Sequence, residues 1–205
     1  MSASAPQPEP SPTTAFVLLA AGRAARFGGG KLTAELAGRP VWRWAADSAV
    51  AAGFAQIHVV TNDPQIAGSC EAAGWHVHQN PDAGEGLASS IRIAAAVAAD
   101  NSRLVIALAD MPFVEPAHLS ALATATGVVF TRQPDGRDGV PAAFPQTALV
   151  KLGEAGGDRG TAALGWPAVH RLQPPSTESL FDIDTPADLE QARAIAVRRR
   201  TASRQ

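Results

Sequence analysis

Apolar segments of strand length alternate with helical patterns over most of this 205-residue chain, and that alternation restricts the possible fold more than any other feature. Ala15 to Ala20 and Ile57 to Val60 read as buried strands, with Val41 to Ala52 as the helix between them. A weaker strand follows around Trp75 to Val77, then an alanine-rich helix over Leu87 to Ala99 and a strong strand over Leu104 to Ala109. Pro116 to Ala125 predicts a further helix and Val128 to Thr131 a further strand. Repeated βα units predict an α/β fold with a mainly parallel, doubly wound sheet covered by helices on both faces. Ligands of such sheets bind outside the carboxyl ends of the strands.

The alternation weakens between Gln133 and Pro175, where Gly, Pro and isolated apolar residues predict a small inserted lobe within one domain of residues 15–197. An extended segment, Leu180 to Ile183, then leads to Thr185 as N-cap, Pro186 at the first helical position and a last helix. Residues 1–14, MSASAPQPEPSPTT, lack the basic start and apolar run of a signal peptide and read as a disordered tail. Residues 198–205 read as a basic tail. Arg198, Arg199 and Arg200 follow the helical pattern of Leu189, Ala192, Ile195 and Ala196, where cations complement a helix dipole.

With 46% hydrophobic residues and a formal charge of -2, the chain can bury one ordinary core and has no global electrostatic reason to bind nucleic acid or a membrane surface. No apolar run approaches the roughly 20 residues a membrane span needs. Cys70, the single cysteine, excludes an intramolecular disulfide, favours a cytoplasmic setting and reads as a buried small hydrophobe.

The first strand runs into Leu19-Ala20-Ala21-Gly22 and on to Gly28-Gly29-Gly30-Lys31, where small residues let backbone amides approach a ligand and Arg26 and Lys31 supply positive charge. This suits a triphosphate; a glycine turn with solvated basic residues is the alternative. It is not a Walker A loop, because Ala25 stands six before Lys31 and Leu32 follows it. Asp110 follows the strand Leu104 to Ala109 and should emerge at the same edge, either as a magnesium ligand or as part of a turn before Met111-Pro112. Asp184 and Asp182 are further metal candidates, or capping groups for the last helix. Asn62 and the helix start Gly86-Leu87-Ala88-Ser89-Ser90 can reach this edge too, with Ser89 and Ser90 either capping or contacting ligand. Arg92, one turn further, faces a phosphate or solvent. The five histidines lack zincin spacing, although His76 and His78 alternate on a short strand. Trp42, Trp44, Trp75 and Trp166 read as packing residues.

In these motifs the chain resembles the molybdenum cofactor nucleotidyltransferases, small Rossmann-like enzymes that start close to LAAG-x-S-x-R-F/M-G-x-x-K and continue with a GxP turn, here Gly38 and Pro40. The similarity extends through NPDAGEGLASSI (Asn80 to Ile91), LADMP (Leu108 to Pro112) and DIDTPADL (Asp182 to Leu189). Sugar-phosphate and methylerythritol nucleotidyltransferases share the glycine loop and aspartates more loosely. The resemblance implies a sheet of the nucleotide-diphospho-sugar transferase type, with Mg2+ held by Asp110, Asp184 and Asp182. It implies catalytic roles for Lys31, Arg26 and Asp110, and nucleotide contacts from Leu19, Ala20, Ala21, Gly22, Lys31, Asn62, Gly86, Ser89 and Ser90. An acceptor phosphate attacks the α-phosphorus and pyrophosphate leaves, with no covalent enzyme intermediate.

The family's cytidylyl branch typically reads LAAG and DIDTP, and its guanylyl branch LAGG and NINTP. Ala21, Asp182 and Asp184 therefore favour CTP, with molybdopterin-bound molybdenum as acceptor and a molybdoenzyme as receiver of the product. Guanylyl transfer, transfer to a sugar or alcohol phosphate, and a non-catalytic cofactor carrier are the alternatives. Two departures are the all-glycine stretch Gly28 to Gly30 and Val140, which stands where a histidine is common. Residues 136–141 and 157–160 resemble segments lining the acceptor side.

Overall fold

The structure, a computed structural model, describes residues 9–11, 13–22, 27–156 and 160–202. In chain order its elements are β1 (Thr14–Leu19), β2 (Glu35–Leu36), β3 (Arg39–Pro40), α1 (Val41–Ala51), β4 (Gln56–Val60), α2 (Pro64–Ala72), β5 (His76–His78), α3 (Leu87–Val97), β6 (Arg103–Leu108), α4 (Pro116–Thr124), β7 (Val129–Arg132), β8 (Asp138–Pro145), α5 (Leu149–Leu152), β9 (His170–Leu172) and α6 (Pro186–Ala202). Seven strands form one sheet in the order β5-β4-β1-β6-β8-β7-β9, and β2 and β3 form a separate hairpin. Among the described residues, β8 is the one strand of the large sheet that runs antiparallel to the other six.

Every residue of β1 is buried, and the two-residue period of the strand splits its side chains between two cores. Phe16 and Leu18 pack with α1, α2 and α4, through Trp42, Ala46, Ile66, Cys70, Leu119 and Leu122. Ala15, Val17 and Leu19 face the other side with Ile91 and Ala94 of α3 and Leu149 and Leu152 of α5. A sheet so covered is the doubly wound arrangement expected from the βα alternation. A third cluster lies under α6, where Leu189, Ala192, Ile195 and Ala196 meet Leu36, Val41, Phe113 and Ile183.

Helix starts follow the cap chemistry. Asp63 Oδ1 accepts the backbone N–H groups of Gln65 and Ile66 at the start of α2, with Pro64 at the first helical position. At α6, Thr185 Oγ1 accepts from Asp188 N at 3.2 Å and Asp188 Oδ2 accepts from Thr185 N at 2.7 Å, a reciprocal capping box. Thr185 and Asp188 thus do the capping, and Asp184 Oδ1 turns instead to Lys31.

The chain differs from its sequence-based expectation in several places. The segment 133–175, expected as an inserted lobe, contributes β8 to the middle of the sheet, where Ala142, Ala143 and Phe144 are fully buried between β6 and β7. Leu180, expected in an extended segment, ends a single helical turn, Thr177–Leu180. At the N-terminal end, Thr13 and Thr14 are tied down rather than free: Ser102 N donates to Thr13 O, and Thr14 pairs in register with Arg103. Residues 1–8 and 12 of the expected tail lie outside the described residues. Arg198, Arg199 and Arg200 are not a tail but the last turns of α6, bonded to Glu178, Glu115 and the Ala37 carbonyl. The four tryptophans pack as expected: Trp42 meets Trp75 edge to face, Trp44 donates to the Leu36 carbonyl and Trp166 to that of Thr161. No helix among the described residues is long and apolar enough to cross a membrane.

Candidate active site

The strand order reverses at β1: the chain runs outward through β4 and β5, then returns to place β6 on the other side. Ligand crevices of open α/β sheets form at such switch points. Here the Ala20 amide donates to the Val60 carbonyl and the Ala109 amide to the Leu19 carbonyl, so the exits of β4, β1 and β6 are held together. Above them opens a cavity of about 450 Å³ lined by Leu19, Ala20, Ala21, Gly22, Lys31, Leu32, Ala83, Gly84, Gly86, Leu87, Ser90, Leu108, Asp110 and Asp184.

Lys31 forms the centre of its charged wall. Its Nζ donates to Asp110 Oδ2 at 2.7 Å and to Asp184 Oδ1 at 3.2 Å, and the residue is only 9% exposed. Burial alone would lower its pKa; the charge of Asp110 and the hydrogen bonds to Asp110 and Asp184 outweigh it and raise it, so the ammonium is firmly charged. Gly28, Gly29 and Gly30 take positive φ values of 85°, 101° and 66°, a path that only glycine follows without strain, and deliver Lys31 into the cavity. The Thr33 hydroxyl and the Ala34 amide donate back to the Gly30 carbonyl and close this turn.

Beside this pairing, Asp110 Oδ1 is buried with no hydrogen-bond partner among the described residues. An unpaired buried carboxylate oxygen is costly, and its chemistry suits a hard divalent cation. Asp182, exposed, lies outside the cavity lining; partial desolvation, then the charges of Asp184 and Asp110, hold its carboxyl above the usual range. Among the described residues no three His, Cys, Asp or Glu side chains converge as a ready metal cage.

The other expected residues divide. Leu19, Ala20, Ala21, Gly22, Gly86 and Ser90 line the cavity. Ser89 is buried beneath it, its hydroxyl donating to the Gly86 carbonyl at 2.8 Å. Asn62 faces a smaller pocket of about 200 Å³ across the glycine loop, and its amide is engaged with the backbone of Asn80. Arg92 turns away to Glu85 and the Ala155 carbonyl, and residues 136–141 lie outside the cavity lining. Arg26 and residues 157–159 lie outside the described residues. Asn80, not singled out from the sequence, is 1% exposed and bonds Asn62, Asp82, Ser89 and Ser90. An Asn-Pro pair in a loop signals only a turn; its partners come from three separate segments.

Residues 16–170 match the MobA-like NTP transferase domain family. The chain belongs to that family. It is a nucleotidyltransferase domain with a nucleoside triphosphate as substrate. A search of curated proteins gives no match. Among solved structures, a nucleotidyl transferase from Methanothermobacter (Mth528) superposes with a TM-score of 0.78 at 21% identity, over 90% of this chain and 98% of that one. Rv0371c from Mycobacterium tuberculosis in complex with manganese gives 0.69 at 27% identity, over 88% and 98%. Molybdopterin-guanine dinucleotide biosynthesis protein A from Archaeoglobus fulgidus gives 0.65 at 20%, over 89% and 98%. These likenesses carry the MobA-like fold across nearly the whole chain.

Proposed function

We propose that this MobA-like domain transfers CMP from CTP to the terminal phosphate of a molybdopterin-type acceptor and releases pyrophosphate. The observation that carries the transfer reading is the Lys31 ammonium shared between Asp110 and Asp184 at the mouth of the switch-point cavity. A phosphate acceptor is already ionised near neutral pH, so no general base is needed. The chain's residues position the two phosphate groups and neutralise charge. An acceptor oxygen bonds to the α-phosphorus as the bond to the bridging oxygen breaks, and pyrophosphate departs with that electron pair.

Lys31 is placed to neutralise the triphosphate, and Ala20, Ala21 and Gly22 line the same space. Asp110, through its unpaired Oδ1, and Asp184 are the residues that would hold Mg2+. When bound, the ion would offset negative charge growing on the transferred phosphoryl group. The preference for CTP rests on Ala21 of LAAG and on Asp182 and Asp184 of DIDTP; Ala21 belongs to the cavity lining, where its methyl would narrow the space for a purine. The molybdopterin acceptor rests on the four motifs and on the likeness to the Archaeoglobus protein.

Incubation with each of four nucleoside triphosphates, Mg2+ and a panel of phosphorylated acceptors, read as pyrophosphate release, tests the reading. CTP with the molybdopterin acceptor is expected to give the highest kcat/KM; a preference for GTP, or for a sugar phosphate, would reassign the substrate. Tight acceptor binding without pyrophosphate would mark a carrier.

A further inference from the structure

Asn80 lies under the wall of the cavity and lines none of it. Its backbone N–H donates to Asn62 Oδ1 at 2.8 Å and its carbonyl accepts from Asn62 Nδ2 at 2.7 Å, a reciprocal pair that ties the exit of β5 to that of β4. Its side-chain Oδ1 accepts from the Asp82 amide at 3.0 Å. Its Nδ2 donates to Ser89 Oγ and to Ser90 Oγ, both at 2.9 Å. The Asp82 amide can only donate, so the atom facing it is the oxygen, and both amide hydrogens point to the serines.

That orientation sets the polarity of the wall. Ser89 sends its own proton to the Gly86 carbonyl. Ser90 accepts from Asn80, lines the cavity, and has no acceptor for its own proton among the described residues. We infer that Asn80 is a positioning residue that commits the Ser90 hydroxyl to donate into the cavity, toward an acceptor atom of the nucleotide bound there. A side chain offering only lone pairs at position 80 would draw that proton back and leave the cavity facing an acceptor. The inference rests on the nucleotide reading of the cavity.

Asn80→Asp keeps the backbone pair with Asn62 and the oxygen for Asp82 while reversing the partner of the serines. Nucleotide KM and kcat are measured at pH 8 for wild type, Asn80→Asp, Ser90→Ala and the double variant. Each single variant is expected to raise nucleotide KM about tenfold, the size of one hydrogen bond, with acceptor KM and kcat within about twofold. The double variant is expected to be no worse than the poorer single one, because both remove the same donor. Should Asn80→Asp not fold, Asn80→Ala, which leaves the Ser90 hydroxyl uncommitted, is expected to raise nucleotide KM by less than Ser90→Ala does and to add nothing to it in the double variant. Unchanged nucleotide KM in Ser90→Ala, or losses that multiply in the double variant while wild type turns over, would overturn the Asn80 role alone. A wild type that releases no pyrophosphate with any nucleotide would overturn the nucleotide reading and this role with it.

Discussion

The backbone N–H of Ile183 donates to the carbonyl oxygen of Asp110 at 3.0 Å. This one bond joins the exit of β6 to the segment that opens α6, and it sets the two carboxylates of the site, Asp110 and Asp184, on either side of the Lys31 ammonium. Their spacing is therefore fixed by main chain, with Ile183 fully buried as the anchor.

Lys31→Ala is expected to weaken nucleotide affinity by roughly 10- to 100-fold, the range of a charge-assisted hydrogen bond. By charge alone the loss should be larger at low salt, where the unscreened attraction is greatest. Because the fold raises the Lys31 pKa, its pairing is fully present below the ordinary value of 10.5 and is lost only as pH rises through the higher folded value. Calorimetric titration with nucleotide at two salt concentrations checks this; equal affinity in the variant would remove Lys31 from the site.

Thr185→Ala removes the hydroxyl that caps α6 and should cost about 1 kcal/mol, seen as a fall in Tm of about 2–4 °C. Asp184 immediately precedes the cap, so kcat should fall as well. A thermal melt and an activity assay on one preparation suffice, and an unchanged Tm would mean that Pro186 and packing alone hold the helix start.

Ala21→Gly tests the base preference. Removing one methyl from the cavity wall should relax CTP-over-GTP discrimination by on the order of 1–3 kcal/mol at most. An unchanged ratio of specificity constants in competition kinetics would return Ala21 to a packing role.

A cluster of imidazoles gives the fold an acid-sensitive edge. His58 on β4 stacks against His76 and against His78 of β5, and its Nδ1 lies 3.0 Å from His78 Nε2. Burial, then the charges of His78 and His76, lower the His58 pKa to about 4. A histidine titrating at about 4 in the fold and near 6.5 when unfolded takes up a proton on unfolding between those values. Its contribution is thus complete above pH 6.5 and is lost as pH falls toward 4, by at most roughly 3 kcal/mol. Denaturant unfolding at several pH values should show a flatter acid limb for His58→Gln than for wild type; parallel limbs would contradict this origin.

The alternation of β1, α1, β4, α3, β6, α4 and β7 was legible because each element carries its own period of apolar residues, and each lies within a residue or two of its expected bounds. β8 was not, because Asp138–Pro145 contains a glycine and two prolines, which argue against a central strand. Pairing with β6 and β7 on both sides overrides that local preference, and the register shift at Phe130/Thr131 accommodates Pro141, whose carbonyl accepts the Thr131 hydroxyl. α2 carried a readable signal in Asp63-Pro64, a cap followed by proline. The position of Asp110 at the edge of the sheet was legible because it follows the exit of β6, and a strand exit fixes where the next residues emerge. The direction of Arg92 was not, since its acceptor, the Ala155 carbonyl, lies in a distant segment.

We propose that nucleotidyl transfer occurs at the Lys31, Asp110 and Asp184 cluster. Asp110→Asn preserves the shape of the side chain and removes the negative charge that a divalent cation requires. The deciding measurement is pyrophosphate release from CTP by purified Asp110→Asn, beside wild type, with Mg2+ and acceptor present and the fold verified by circular dichroism. A folded variant with turnover reduced at least about 100-fold is the predicted result; near-wild-type pyrophosphate release by that folded variant would contradict the account.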